Sequence, residues 1–127
     1  MADGLGRVLV VEDDEVIRSL IALNLELEGF EVSTAVDGSE AMAVLKAVDP
    51  VVVTLDAMMP NVDGYEAVRR IRADPDTAHV KVLMVSARAQ RQDVARADRA
   101  GVDSYLTKPF DPGELVSAVR RLAGLPA

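Results

Sequence analysis

Val51-Val52-Val53-Thr54-Leu55-Asp56, followed by Ala57-Met58-Met59-Pro60-Asn61-Val62-Asp63-Gly64, is the stretch on which the reading of this chain turns. A nearly unbroken β-branched and aliphatic run describes a strand covered on both faces, as in parallel sheets flanked by helices. The run stops at one carboxylate and passes straight into turn residues. Asp56 therefore stands at the carboxyl end of a central strand. In an open parallel sheet, ligands and chemistry are found in the crevice beyond those strand ends.

Working outward toward the N-terminus, Arg7–Val11 is a short apolar strand halted by Glu12-Asp13-Asp14, and Glu31–Ala35 is a second strand. Between them Val16, Ile17, Leu20, Leu23 and Leu27 recur at helical spacing until Gly29 closes the helix. Asp37-Gly38-Ser39 is turn and cap chemistry for a second helix with Ala41, Met42, Leu45 and Val48 on its face, stopped by Asp49-Pro50.

Toward the C-terminus, Asp63 caps a helix over Gly64–Ala73 with Ala67, Val68 and Ile71 as its apolar positions, stopped by Asp74-Pro75. A fourth strand over 80–85 ends in Ser86. A more polar helix over 90–100 turns Val94 and Ala97 inward and closes at Gly101. A fifth strand over 102–107 is interrupted by Lys108-Pro109-Phe110, and Asp111-Pro112 opens a last helix carrying Leu115, Val116, Val119 and Leu122. Five strands alternating with five helices predict an α/β, doubly wound, five-stranded parallel sheet of the flavodoxin-like kind. The order 2-1-3-4-5 is a common solution for such sheets and is the one expected.

The 127 residues form one domain, 1–127, with its core at about 7–122. Asp and Glu number 21 against 14 Lys and Arg, a formal charge of -7, which disfavours direct binding to nucleic acid or anionic membrane. With no cysteine there are no disulfides or thiolate metal sites. The opening residues lack the basic start and apolar stretch of a secretory signal, and no run is long enough to span a membrane, so a cytoplasmic location is expected.

Four of the five strands deliver a polar side chain to one end of the sheet: Glu12 and Asp13 from the first, Asp56 from the third, Ser86 from the fourth and Lys108 from the fifth. Two carboxylates at about 4 Å repel by about 4 kcal/mol at an effective dielectric near 20, so something must offset the crowding. Lys108 supplies one positive charge. The remaining excess calls for a hard divalent cation, and oxygen ligation with few protein ligands suits Mg²⁺. Such an ion, with Lys108 and the Ser86 hydroxyl, would stabilise phosphoryl oxygens, and Asp56 would be the nucleophile that forms an acyl phosphate.

The motifs Leu9-Val10-Val11-Glu12-Asp13-Asp14, Leu55-Asp56 with Met58-Met59-Pro60-Asn61 and Asp63-Gly64, Val85-Ser86-Ala87, and Tyr105-Leu106-Thr107-Lys108-Pro109-Phe110 are weak singly and very specific in this order. Together they make the chain resemble, over Arg7 to Leu122, the receiver domains of two-component response regulators, of the single-domain chemotaxis-regulator type. The resemblance implies that Asp56 is the phosphoacceptor. It implies that Asp13 ligates Mg²⁺ directly, with Glu12 acting through water and the backbone carbonyl of Met58 as a further ligand. Ser86 takes the place of the switch hydroxyl, Tyr105 that of the switch aromatic, and Lys108 that of the phosphoryl-binding lysine, followed by a cis bond to Pro109. Met58 and Arg88 stand at variable positions that influence phosphoryl lifetime in the family.

Simpler readings are weighed beside these. Asp14 starts the first helix, Met58 and Met59 pack, His79 is exposed and carries no chemistry, and Arg120-Arg121 is a solvated face or part of a docking surface. A phosphodonor histidine would come from a histidine kinase or phosphotransfer protein. The effector would meet the surface of the fourth helix, fifth strand and fifth helix (α4-β5-α5). By this reading the chain is a signalling protein that catalyses only its own phosphorylation and dephosphorylation, with no room after Leu122 for an output domain. A receiver-shaped interaction module that works without phosphorylation is the second reading. A Mg²⁺-dependent phosphatase is disfavoured because its nucleophile would belong on the first strand and its cap has no room. A dinucleotide or P-loop site is disfavoured for want of a glycine-rich loop.

Overall fold

The computed structural model describes residues 4–60, 62–88 and 90–127; Met1, Ala2 and Asp3 of the opening segment and Asn61 of the loop motif lie outside the described residues. Strands and helices alternate as β1 (Arg7–Val11), α1 (Glu15–Glu28), β2 (Glu31–Ala35), α2 (Gly38–Val48), β3 (Val52–Asp56), α3 (Gly64–Ala73), β4 (Lys81–Ser86), α4 (Arg91–Ala100), β5 (Ser104–Thr107) and α5 (Pro112–Leu122). The five strands form one parallel sheet in the order β2-β1-β3-β4-β5, the expected architecture.

Strand alternation sorts the core into two layers. Leu9, Val11, Val53, Leu55, Val82 and Met84 face α2, α3 and α4, where they meet Ala41, Leu45, Val68, Ile71 and Ala97. Val8, Val10, Val52, Leu83 and Val85 face α1 and α5, where they meet Ile21, Leu25, Leu115 and Val119. Val11 pairs with Leu55, Asp56 with Val85 and Ser86 with Thr107, so the carboxyl ends of β1, β3, β4 and β5 arrive nearly level. That levelling lets four separate strand ends share one pocket.

Helix starts follow local chemistry. Asp14, Asp37, Asp63 and Asp111 are N-caps whose carboxylates accept backbone N–H groups of the first turn. Asp14 is thus the cap it was expected to be, accepting from Ile17 at 3.0 Å.

Two inward faces depart from expectation. In α1, Val16 and Leu27 are each 77 % exposed and Leu20 and Leu23 are also exposed, while Ile21 and Leu25 are buried. This helix carries two overlapping apolar stripes, and spacing alone does not choose between them. Packing against Leu115 and Val119 of α5 selects the Ile17, Ile21, Leu25 stripe. In α4, Val94 is exposed, and the small side chains Ala97 and Ala100 make the contact instead. Strand limits also tighten: Val51 is exposed and precedes β3, Val80 precedes β4, which takes in Ser86, and Val102 and Asp103 precede β5.

At the opposite end of the sheet from the pocket, Arg72 of α3 ties three segments together. Its guanidinium donates to the carbonyls of Ala78, Val80 and Gly101 and to Asp103 Oδ2, which also accepts the Val82 N–H at 2.8 Å. A planar fork with five donors suits this set, and a lysine cannot reproduce it. Arg72→Ala is expected to lower stability by about 2–4 kcal/mol through buried carbonyls left unpaired, and Arg72→Lys to recover less than half of that. The check is the urea midpoint at constant m-value.

Candidate functional site

The pocket is built from loops that follow the four level strand ends. Lys108, just beyond β5, extends its ammonium between two buried carboxylates, with Nζ 2.7 Å from Glu12 Oε1 and 2.9 Å from Asp56 Oδ2. Its backbone N–H donates to the Ser86 carbonyl at 2.8 Å, anchoring the β5–α5 loop to the end of β4. The Lys108-Pro109 bond is cis. Asp56 also accepts the Met58 N–H on Oδ1 at 3.0 Å. Glu12 accepts the Asp14 N–H on Oε2 at 3.2 Å. Both buried carboxylates are therefore oriented by hydrogen bonds on each side.

Asp13 completes an acidic trio. Ligand oxygens of Glu12, Asp13 and Asp56 lie within 4.8 Å of one another, two of the side chains buried and Asp13 exposed at the mouth. Three carboxylates face one ammonium in an all-oxygen setting, which matches the preference of a hard divalent ion. The residues fit Mg²⁺. The Met58 side chain is exposed, so only its backbone carbonyl is available for such a role.

Burial pushes the Glu12 carboxyl up from its ordinary value, and the neighbouring Asp56 charge adds to that against the opposing pull of Lys108. Burial would lower the Lys108 ammonium, but its hydrogen bonds to Glu12 and Asp56 outweigh it and hold the group above the usual lysine value. The pair thus consists of a reluctant carboxylate and a firmly charged lysine.

The turn after β3 depends on Gly64. A Cβ there would lie 2.3 Å from the Asp56 carbonyl oxygen, so only glycine lets α3 begin against the backbone that carries Asp56. The Gly64 N–H bonds to the Ala57 carbonyl at 3.0 Å, closing the turn.

Ser86 and Tyr105 stand one step away from the carboxylates. Ser86 is buried, and its Oγ accepts the Arg88 N–H at 3.1 Å; among the described residues it makes no hydrogen bond to Asp56. The Tyr105 hydroxyl donates to the Arg88 carbonyl. The two candidate switch residues therefore hold the same backbone unit of the β4–α4 loop from opposite ends. His79 is exposed, 3.8 Å from Asp49. Arg120 bonds to Glu28 and to the Pro126 carbonyl, so it ties α5 to α1 and the chain end, and Arg121 is the exposed member of that pair.

Sequence reading missed Arg18. Its Nη1 donates to the Glu12 carbonyl at 3.0 Å and the Asp13 carbonyl at 3.4 Å, placing a second cation behind the acidic loop. The available signal was that Arg18 is the one basic residue in α1, a turn beyond the acids.

The family model of the response regulator receiver domain matches residues 8–120. The chain is 42 % identical over 116 residues to the DNA-binding dual master transcriptional regulator RpaA of Synechocystis, covering 91 % of this chain and 48 % of that protein. It is 39 % identical over 118 residues to the phosphate regulon transcriptional regulatory protein PhoB of Rhizobium meliloti, covering 93 % and 52 %. The chain thus spans about half the length of these curated relatives. Among solved structures, the chemotaxis protein CheY4 of Vibrio cholerae superposes with a TM-score of 0.87 at 30 % identity, covering 91 % of this chain and 97 % of that one.

Because the folded protein binds a proton at Glu12 more readily than the unfolded chain does, ionised Glu12 opposes folding. That opposition is absent below the ordinary carboxylate range and grows as pH rises through the raised folded value. Glu12→Gln is therefore expected to raise the thermal midpoint of metal-free protein at pH 7, by about 4 °C for each kcal/mol of relieved repulsion, and to lose that advantage near pH 4. Calorimetry at the two pH values provides the comparison.

Proposed function

The chain belongs to the response regulator receiver domain family, and from that membership we propose that Asp56 is its phosphoacceptor, served by Lys108, Ser86 and an acidic Mg²⁺ site. Receiver domains are the signal-accepting part of two-component systems, and the phosphoacceptor role fits every feature of this pocket better than phosphorylation-independent binding does. The single observation that carries the residue assignment is the Asp56 carboxylate, buried at a strand end and held 2.9 Å from a lysine ammonium.

In the proposed reaction an Asp56 carboxylate oxygen attacks the phosphorus of a phosphohistidine on a histidine kinase or phosphotransfer protein. The P–N bond breaks as the P–O bond forms, and the imidazole leaves with a proton. Water later cleaves the acyl phosphate to carboxylate and inorganic phosphate. Mg²⁺ held by Glu12, Asp13, Asp56 and the Met58 carbonyl would supply charge neutralisation for the phosphoryl oxygens. Met58 N–H and Lys108 each hold one oxygen of the Asp56 carboxylate and so fix its orientation.

A phosphoryl group adds negative charge and oxygen acceptors beside Lys108 and Ser86. The Ser86 oxygen is an acceptor toward Arg88, which leaves its proton free to donate to a phosphoryl oxygen. A move of Ser86 toward Asp56 pulls on the Arg88 backbone, and the carbonyl of that residue is what the Tyr105 hydroxyl holds. The charge change at Asp56 is thereby linked to Tyr105 and to the α4-β5-α5 surface that an effector would read. Such a two-state shift from 1:99 to 99:1 needs about 5.5 kcal/mol of differential interaction. Residues 7–122 form the receiver core in this reading, and the protein works in the cytoplasm; among the described residues no helix is long and apolar enough to cross a membrane. DNA binding belongs to the whole of RpaA as named and is not assigned to this chain.

Incubation with acetyl phosphate and Mg²⁺ should add one phosphoryl group to the wild-type chain by intact-mass spectrometry. Asp56→Asn should abolish it. A phosphoryl group that persists in the Asn variant excludes Asp56 as acceptor.

A further inference from the structure

The acids of the pocket are not all held in the same way. The Asp56 carboxylate is oriented by the Met58 N–H and Lys108, and the Glu12 carboxylate by Lys108 and the Asp14 N–H. Asp13, exposed at the mouth, has no side-chain hydrogen bond or ion pair among the described residues. Where its carboxylate points is therefore set by its backbone conformation and its rotamer.

That backbone is held by Arg18. One guanidinium nitrogen, Nη1, bridges two successive carbonyls, Glu12 at 3.0 Å and Asp13 at 3.4 Å. These belong to the peptide units on either side of the Asp13 Cα. The second unit is gripped again on its N–H side, where Asp14 donates to Glu12 Oε2 at 3.2 Å. Peptide units are planar, so fixing both of them fixes the φ and ψ of Asp13 and with them the direction of its Cβ. Arg18 is itself anchored: its N–H donates to the Asp14 carbonyl at 2.9 Å in the first turn of α1, a helix seated on the core through Ile21 and Leu25.

A second cation near the acids also opposes a bound metal, because like charges repel. Placement and repulsion thus act on Mg²⁺ affinity with opposite signs, and a comparison of two ions separates them. Mg²⁺ demands near-octahedral oxygens at about 2.0–2.1 Å, whereas Ca²⁺ accepts a larger and more flexible set at about 2.3–2.6 Å. Both carry the same charge, so repulsion weighs on them alike. Loss of ligand placement falls chiefly on Mg²⁺.

We propose that Arg18 is a positioning residue of the metal site: by holding the carbonyls of Glu12 and Asp13 it fixes the Asp13 carboxylate in the geometry Mg²⁺ needs, and so sets the preference for Mg²⁺ over Ca²⁺. The inference rests on Glu12, Asp13 and Asp56 being the Mg²⁺ ligands. Arg18 acts through the backbone of the acids and is not itself a ligand.

The test uses the full chain, as wild type and as Arg18→Met, Arg18→Lys and Asp13→Asn. Each is titrated with magnesium chloride and, separately, calcium chloride at constant ionic strength, followed by amide chemical shifts, and urea unfolding without metal reads stability. Arg18→Met is expected to weaken Mg²⁺ binding about tenfold and Ca²⁺ binding less than about threefold. Arg18→Lys keeps the charge on a stem one bond shorter and should lower the Mg²⁺/Ca²⁺ ratio in the same direction, so the outcome does not hang on one variant. A ratio unchanged in the folded variants, whatever their stability, overturns the proposal. Tighter binding of both ions by Arg18→Met, the mark of relieved repulsion, overturns it too. Loss of Mg²⁺ binding in Asp13→Asn, with the wild-type titration intact, shows that the ligand assignment survives such a result. A wild type whose shifts do not respond to Mg²⁺, or an Asp13→Asn variant that binds as wild type does, removes that assignment and the proposal together.

Discussion

One ammonium between two buried carboxylates is the constraint around which the pocket is arranged. Lys108 spans Glu12 and Asp56 with contacts of 2.7 and 2.9 Å, so each acid is tolerated in the interior because the lysine neutralises part of their mutual repulsion. With Asp13 at the mouth the balance remains negative, and the site keeps a standing attraction for a divalent cation. A phosphoryl group on Asp56, the proposed acceptor, would add negative charge to this balance beside Lys108.

The fold meets that constraint through sheet order. The first strand lies next to the third, not only the second, and the fourth and fifth follow. Residues 12, 56, 86 and 108 are therefore side by side although the chain separates them widely. Two apolar layers hold the strands level, and Gly64 and the aspartate caps turn the chain sharply where the strands end. Stability resides in the layers and in the Arg72 junction at the far end. The functional end is left with charged groups whose interactions oppose one another.

In the proposed switch, the β4–α4 loop is where a charge change at the pocket would be passed on. Arg88 is bonded through its N–H to Ser86 and through its carbonyl to Tyr105, so its peptide units join a residue at the pocket to one facing α4. Interiors packed at this density shift between discrete arrangements and do not deform smoothly. In the proposed switch, these two hydrogen bonds are the link between the two ends.

Much of this was readable from residues alone. The uninterrupted 51–55 run ending in Asp56 identified a central parallel strand, and the acids after β1, the hydroxyl after β4 and the lysine after β5 identified the polar end of the sheet. Asp14, Asp63 and Asp111 were legible as caps because capping is a property of a few adjacent residues. The inward face of α1 was not, since Val16, Leu20, Leu23 and Leu27 satisfy a helical period as well as Ile17, Ile21 and Leu25 do. Nor were Arg18 behind the acidic loop or the shared hold of Ser86 and Tyr105 on Arg88. The sequence by itself determined which elements form and which chemical groups their ends carry, because period, propensity and turn chemistry act over a few residues. Only the tertiary structure decided which oxygens Lys108 holds and which helical stripe is buried, because those contacts join positions as far apart as 96 residues and depend on strand register and on the helix packed opposite.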